Sequence, residues 1–173
     1  MSLNKYFAQL KKRFSGWSNQ DVFTTVLTII TYILRGCYVR LFMGKTKGLV
    51  MIGKGTTIRY SNHLFAGHDL IIEDYAEVNC MASKSITIGN RVTIGRFAVI
   101  RPSNAYGGEV GEGLRIGNNS SIGTYNYIGC SGFIDIGNNV MIGPELVFLL
   151  KIISLKELIF QCMNKELREN SLR

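Results

Sequence analysis

A six-residue phrase recurs from Ile52 onward and constrains the fold of this chain more than any other feature. Each phrase begins with an aliphatic residue, often followed by Gly, and carries a small Ser, Thr, Ala or Val four positions later. The clearest copies are two consecutive pairs, 88–93 with 94–99 and 116–121 with 122–127. A period of six matches neither an α-helix nor a single extended strand. It is the signature of a solenoid.

A six-residue step accommodates one short strand and one corner. The aliphatic side chain points into the core, the small residue packs inside the bend, and Gly or Asn accepts positive φ. Three such sides close a triangular coil, and the coils are stabilised by stacking on one another. The sequence therefore predicts a single domain, a β solenoid of hexapeptide repeats over residues 47–148.

The repeat is interrupted between Ile100 and Ile116, where the glycine-rich segment 106–113 predicts a loop that leaves the coil. Glycines of this kind also occur in phosphate-binding loops, but those loops join a strand to a helix, and that context is missing here. We favour an ordinary loop, because clustered glycines mark irregular chain.

Positive charge is concentrated in the first third of the chain. The formal net charge is +8, and residues 1–60 carry ten Lys or Arg against one acid, Asp21. Aromatic residues are not interleaved with these charges as they are in nucleic-acid-binding surfaces, so an anionic membrane surface fits better than nucleic acid. The alternative is a helix whose charged face is simply solvated.

A helix is predicted over residues 19–43, starting at a capping box formed by Ser18 and Asp21. Apolar residues then recur at helical spacing, namely Phe23, Val26, Leu27, Ile30, Leu34, Cys37, Tyr38 and Leu41. The uncharged stretch 22–34 is shorter than the roughly 20 residues that cross a membrane. We expect residues 1–46 to form a basic helical cap on the solenoid, in a cytoplasmic protein whose membrane contact is peripheral.

The four cysteines are far apart and predict no metal site, because they form no C-x-x-C pair and no histidine pattern lies beside them. They are Cys37, Cys80, Cys130 and Cys162. We interpret all four as free thiols. Cys80 and Cys130 each follow an aliphatic repeat residue by two positions, which we interpret as an outward position.

These repeats resemble the hexapeptide-repeat acyltransferases, which fold as a left-handed parallel β-helix, an exception to the usual right-handed crossover. The resemblance covers roughly residues 47–148. Segments 71–77, 100–102 and 128–132, together with the Gly-Gly-Glu loop, look like the bacterial sugar O-acetyltransferases of the colanic-acid and capsule type.

The resemblance implies that an acetyl group is transferred from acetyl-CoA to a sugar hydroxyl by direct attack, without a metal. It also implies a homotrimer with active sites between subunits. The family uses a histidine to accept the hydroxyl proton, since the imidazole pKa lies near working pH. Backbone N–H groups would stabilise the oxyanion.

The chain departs from the family at its catalytic histidine. In the family this residue follows the repeat that matches 142–147 here, in a Glu-Asn-His-x-Phe phrase, whereas this chain has only His63 and His68. We interpret both as structural or exposed, assign no catalytic residue and no cofactor-binding residue, and expect an inactive or impaired enzyme. The candidate hydroxyl-binding residues are Tyr125, Asn126, Cys130 and Ser131, of which Asn126 and Ser131 are the better candidates. The alternative for all four is ordinary outward decoration of the solenoid surface.

Residues 149–173 do not continue the repeat. One hypothesis is a frameshift, because a shifted reading frame is compatible with Ser-Glu-Asn-His-x-Phe-Lys-Arg-Thr-Asp-Ile-Pro over residues 149–161. The alternative is a native amphipathic helix that covers the last coil. Its apolar face would comprise Leu149, Ile152, Ile153, Ile159, Phe160 and Leu167.

We weigh three other classes of function against the acetyltransferase. A non-enzymatic trimeric scaffold, or an inactive membrane-associated remnant, is favoured by the missing base and the basic apolar N-terminal region. A γ-type carbonic anhydrase shares the solenoid but needs three histidine ligands, and two are present. An ice-binding solenoid would align Thr on one flat face, whereas the outward positions here mix Arg, Asn, Tyr and Lys.

Overall fold

The computed structural model describes residues 16–102 and 109–150 and shows a β solenoid. The strands of these residues form three parallel sheets of five strands each. Each sheet is one face of a triangular column, and three consecutive strands make one coil. The predicted β solenoid is therefore confirmed. Its left-handed sense stays a prediction.

The strands are short, and consecutive strands belong to consecutive faces. The first face contains β1 (Lys45–Thr46), β4 (Leu64–Ala66), β7 (Ile86–Ile88), β10 (Leu114–Ile116) and β13 (Ile134–Ile136). The second contains β2 (Val50–Ile52), β5 (Leu70–Ile72), β8 (Val92–Ile94), β11 (Ser121–Ile122) and β14 (Met141–Ile142). The third contains β3 (Thr57–Arg59), β6 (Glu77–Asn79), β9 (Val99–Arg101), β12 (Tyr127–Cys130) and β15 (Val147–Leu150).

Neighbouring coils are aligned so that repeat residues stack on repeat residues. On the second face, Ile52, Ile72, Ile94, Ile122 and Ile142 pair successively in register, and all five are buried. Because each coil contributes only a thin apolar slice, this alignment is what produces a continuous core. The predicted inward position of the repeat isoleucines is confirmed.

The corners follow the prediction only in part. The small residues Ala76, Ala98 and Ser120 are buried inside the bends, as expected. Positive φ, however, is adopted by ten non-glycine residues in the described part of the chain, and only Asn119 and Asn139 among them are Asn. Among the others, the exposed rings of Tyr75, Phe97 and Tyr125 stack on one another. Arg91 Nε donates a hydrogen bond to Asn119 Oδ1 in the next coil.

Helix α1 spans Asn19–Arg40 and ends three residues before the predicted limit. The predicted capping box is confirmed: Ser18 Oγ accepts a hydrogen bond from the Asp21 N–H, and the Asp21 carboxylate accepts one from the Ser18 N–H. At the other end, the Leu41 N–H bonds back to carbonyl groups in the last turn. Both ends therefore follow from local sequence.

The helix packs against β2, the outermost strand of the second face at the N-terminal end. Gly36 is buried there, and a Cβ at this position would overlap the Val50 carbonyl oxygen. Arg40 Nη1 donates a 3.1 Å hydrogen bond to the Gly48 carbonyl. The predicted cap thus contacts the first coil, and the absence of a side chain at Gly36 permits the close approach.

The apolar stripe of α1 does not make this contact. Tyr32, Gly36 and Arg40 face the solenoid, whereas Phe23 and Leu34 are 69% and 64% exposed. At about 100° per residue, these two sets lie on opposite sides of the helix. The helix therefore presents its apolar stripe outward.

The solenoid extends slightly beyond the predicted limits of 47 and 148. Its first strand begins at Lys45, and β15 ends at Leu150. The predicted start of the tail at Leu149 is wrong, because Leu149 lies in β15. Residues 103–108 of the predicted loop, and residues 151–173 with the rest of both hypotheses for the tail, lie outside the described residues.

Candidate functional site

The four predicted hydroxyl-binding residues do not form one site. Tyr125 and Asn126 lie at the corner before β12, on the edge between the second and third faces, whereas Ser131 follows β12 at the next corner. Asn126 and Ser131 are five steps apart along extended chain, which corresponds to roughly 17 Å between their Cα atoms. A single sugar hydroxyl cannot contact both corners of one coil.

Asn126 is a structural residue, so its predicted outward position is wrong. It is 1% exposed. Its Nδ2 donates a 2.8 Å hydrogen bond to the Gly143 carbonyl, and its Oδ1 accepts one of 2.8 Å from the Leu146 N–H. The repeat contained the signal, because Asn126 lies four positions after Ile122, where the small residue of each phrase packs inside the bend.

The outward position predicted for Cys80 and Cys130 is also wrong, since both are 0% exposed. Two steps along a strand return to the same face, so a residue two positions after an inward aliphatic residue points inward again. Burial raises the pKa of each thiol to about 12, and at Cys80 the charge of a Cys130 thiolate adds to the effect. Neither thiol is a nucleophile near neutral pH.

Tyr125 is exposed, as is Ser131, and belongs to an aromatic ladder, Tyr75–Phe97–Tyr125. The ring centroids are 5.2 Å apart between Tyr75 and Phe97 and 4.9 Å between Phe97 and Tyr125. The ring planes are nearly parallel, at 7° and 11°. All three residues occupy positive-φ corners, so the ladder forms an apolar ridge along one edge of the column.

A charged cluster lies beside the start of this ladder. Arg96 Nη2 is 3.0 Å from Asp74 Oδ2, and Asp74 Oδ1 accepts hydrogen bonds from the Tyr32 hydroxyl and the Lys54 N–H, both 2.6 Å long. The Tyr32 hydrogen bond lowers the pKa of Asp74, and the Lys54 N–H and the Arg96 charge act in the same direction. Because both carboxylate oxygens are engaged, Asp74 joins the helix to the coils and is not a free base.

Ser131 lies at a second polar site, the loop corner, formed by Lys84, Glu112, Ser131 and Phe133. Here the returning loop passes between the second and fourth coils: the Lys84 N–H donates to the Glu112 carbonyl, and the Glu112 N–H donates to the Ser131 carbonyl. The Lys84 and Glu112 side chains form an ion pair, and Lys84 Nζ also lies 5.3 Å from the Phe133 ring centroid.

The loop corner offers an exposed serine hydroxyl beside a carboxylate, an ammonium group and an aromatic ring. These groups bind polyols through hydrogen bonds and apolar contact. Sequence reasoning found Ser131 but missed Lys84, Glu112 and Phe133. These three residues could have been found from the repeat, because the loop must rejoin the solenoid just before Leu114. Residues 111–113 then lie beside the equivalent corners of two other coils.

The histidines lie elsewhere. His63 ends a short 3-10 turn, Ser61–His63, and His68 follows β4; both are exposed, as expected. Neither is positioned to accept a proton at the loop corner, two coils away. Within residues 16–102 and 109–150, no group of three or more His, Cys, Asp or Glu could hold a metal ion.

No family model matches this chain, and no curated protein or solved structure is similar to it. The acyltransferase resemblance therefore rests on the repeat and on the motifs quoted from the sequence.

Proposed function

We propose that this chain descends from the hexapeptide-repeat O-acetyltransferases and that its scaffold serves acetyl transfer to a sugar hydroxyl of a polysaccharide or capsule precursor. The observation that carries the proposal is the six-residue phrase, stacked in register through five coils. The proposal includes the left-handed sense of the coil, acetyl-CoA as the donor and a homotrimer as the assembly.

In the proposed reaction, the sugar hydroxyl oxygen attacks the thioester carbonyl carbon of acetyl-CoA. The new C–O bond forms, the C–S bond breaks, and coenzyme A leaves as the thiol once it has received a proton. Ser131 at the loop corner would orient the acceptor by hydrogen bonding, whereas Tyr125, at the opposite end of β12, is too far away to contact the same sugar ring. Asn126 and Cys130 are committed to the core and take no part.

The step that this chain lacks is proton removal from the hydroxyl. His63 and His68 lie in the first coils, and Glu112 is paired with Lys84. Loss of a general base lowers the rate by about a hundredfold to ten-thousandfold. We therefore propose that the printed 173-residue chain is inactive or severely impaired.

The experiment measures release of coenzyme A from acetyl-CoA by chromatography, with galactose, maltose and a capsule-type oligosaccharide as acceptors. A thiol reagent is avoided because the exposed Cys37 would react with it. A second chain carries the shifted-frame translation of the parent gene from residue 149 onward. We expect transfer by the second chain and little by the first.

Sustained turnover by the printed chain would refute the proposed impairment. If the shifted frame encodes no His-containing phrase, or if the second chain folds as a solenoid but neither binds nor turns over acetyl-CoA, the acetyltransferase proposal is wrong. Circular dichroism of both chains separates that result from misfolding.

A non-enzymatic scaffold, or an inactive membrane-associated remnant, is the second candidate. It is favoured by the burial of Asn126 and Cys130 and by the outward stripe of α1. This candidate requires stable oligomers without acetyl-CoA binding. Sedimentation equilibrium combined with calorimetric titration of acetyl-CoA distinguishes it from the enzyme.

A further inference from the structure

The outward stripe of α1 is a continuous apolar surface with no covering element among the described residues. It comprises Phe23, Leu27, Ile30 and Leu34, and Leu41 extends it beyond the helix end with 78% of its surface exposed. The opposite side of the helix is fixed to the solenoid through Tyr32 and Gly36. A stripe of this length, held away from the core, marks an interaction surface.

Three threonine hydroxyls of α1 are satisfied within the helix. The hydroxyls of Thr24, Thr28 and Thr31 donate to the carbonyl groups of Gln20, Thr24 and Thr28, at 2.9, 2.9 and 2.8 Å. The capping box satisfies donors at the N-terminal end. These threonines flank the outward stripe, at the level where an interfacial helix meets the lipid headgroups, and their paired hydroxyls need no further partner there.

After Asp21 in the first turn, the charges along α1 and the segment that follows it have one sign. The sequence contains no acidic residue between Asp21 and Asp69, whereas Arg35, Arg40, Lys45 and Lys47 are all exposed. Cations at the end of an apolar helix are attracted to anionic lipid headgroups. A second copy of this chain would instead bring like charges together.

We propose that α1 lies in the headgroup region of an anionic membrane, parallel to its surface, with the outward stripe in the acyl chains. By length and composition alone, α1 is the one helix of the described residues that could also cross a membrane. Its uncharged stretch 22–34 measures about 20 Å at 1.5 Å per residue, short of a hydrocarbon core of about 30 Å. Crossing would also draw the attached first coil into the bilayer.

The proposal concerns a surface remote from the loop corner, so it holds whether or not the chain transfers acetyl groups. Its test uses phosphatidylcholine vesicles with and without phosphatidylglycerol. Trp17, the only tryptophan in the sequence, lies just before α1 and reports insertion by its fluorescence. We expect co-sedimentation with the anionic vesicles, a blue shift of the emission and quenching by lipids with brominated acyl chains. Added salt should weaken the binding.

Two variants of α1 provide the decisive comparison, one with substitutions on the outward stripe and one with substitutions off it. L27Q/L34Q removes two stripe leucines and should weaken vesicle binding by roughly a hundredfold. The matched control T24Q/T28Q introduces the same residues on the same helix, off the stripe, and should change binding by no more than about twofold. Circular dichroism checks that both variants retain the solenoid.

Three outcomes would overturn the proposal. The first is that the unaltered chain fails to bind anionic vesicles. The second is that L27Q/L34Q binds them as well as T24Q/T28Q does. The third is that L27Q/L34Q converts a stable oligomer into monomers in lipid-free buffer, which would assign the stripe to a second copy of the chain.

Discussion

The Tyr32 hydroxyl in α1 donates a 2.6 Å hydrogen bond to Asp74 Oδ1, 42 residues further along the chain. Burial, followed by this hydrogen bond, raises the pKa of Tyr32 to about 12, and the same bond lowers the pKa of Asp74. The pair fixes the rotation of the helix on the first coils. It therefore determines that the apolar stripe faces outward.

Replacing Tyr32 by Phe should lower the free energy of unfolding by about 1.5 to 3 kcal/mol, the range for a hydrogen bond to a charged group. The measurement is denaturant unfolding at neutral pH. Tyr38→Phe is the matched control: its side chain is exposed on the same helix, and its effect should stay within about 0.5 kcal/mol. Equal effects of the two substitutions would contradict a structural role for the Tyr32 bond.

The same variant predicts a pH dependence. Since the pKa of Asp74 is lowered in the folded state, its stabilising contribution is present above the ordinary value of 3.8 and is lost as the pH falls through the lower folded value. The stability difference between wild type and Tyr32→Phe should thus be largest near neutral pH and shrink in acid. A stability difference between the two proteins that grows in acid would contradict a stabilising role for the ionised Asp74 carboxylate.

Gly36→Ala tests the contact between helix and solenoid. Alanine favours a helix over glycine by about 1 kcal/mol. Here, however, the added Cβ meets the Val50 backbone, which cannot move aside as a side chain does. We expect a net destabilisation of at least about 1 kcal/mol, and faster hydrogen exchange in α1. Gly143→Ala is the control, because a Cβ there has no neighbour within 4 Å.

Asn126→Ala should destabilise the chain by about 1 to 3 kcal/mol, because it removes two hydrogen bonds to the fifth coil, from Nδ2 to the Gly143 carbonyl and from the Leu146 N–H to Oδ1. Asn62→Ala, at an exposed residue of the 3-10 turn, should have little effect on denaturant unfolding. If Asn126→Ala instead weakens sugar binding without changing stability, the structural role assigned to Asn126 is wrong.

Thiol reactivity distinguishes the cysteines. Exposed Cys37 should react rapidly with a thiol reagent in the native protein, whereas Cys80 and Cys130 should react only when the column opens. In a C37S/C162S variant the rapid phase should disappear. Rapid labelling that persists there, located by mass spectrometry at Cys80 or Cys130, would contradict their burial.

The repeat allowed the three faces and the inward isoleucines to be predicted. An aliphatic residue at every sixth position can form a continuous core only if each six-residue unit is one side of a triangular coil and the aliphatic residue points inward. The positions of Asn126 and Cys130 follow from the same periodicity. The outward interpretation is wrong for Asn126 because it weighs polarity above the place of the residue in the repeat, and for Cys130 because two steps along a strand return to the same side. For α1, the sequence shows which residues share a face but not whether that face turns toward the solenoid. Gly36 and the Tyr32–Asp74 bond decide this, and they depend on distant residues.

The aromatic ladder could not be predicted from local preference. Tyr75, Phe97 and Tyr125 adopt left-handed backbone conformations that isolated residues of these types avoid. Stacking between successive coils offsets that cost, at about 0.5 to 1.5 kcal/mol for each aromatic pair. Tertiary packing therefore overrides the local preference for Gly or Asn.

The left-handed corners have a consequence for how the molecule assembles itself. A solitary coil has no neighbour to hold its bends, so it would relax as soon as it formed. Folding must then spread outward from a nucleus of adjoining coils in which each bend is held by its neighbour, as the Glu145 N–H is held by the Thr124 carbonyl of the fourth coil.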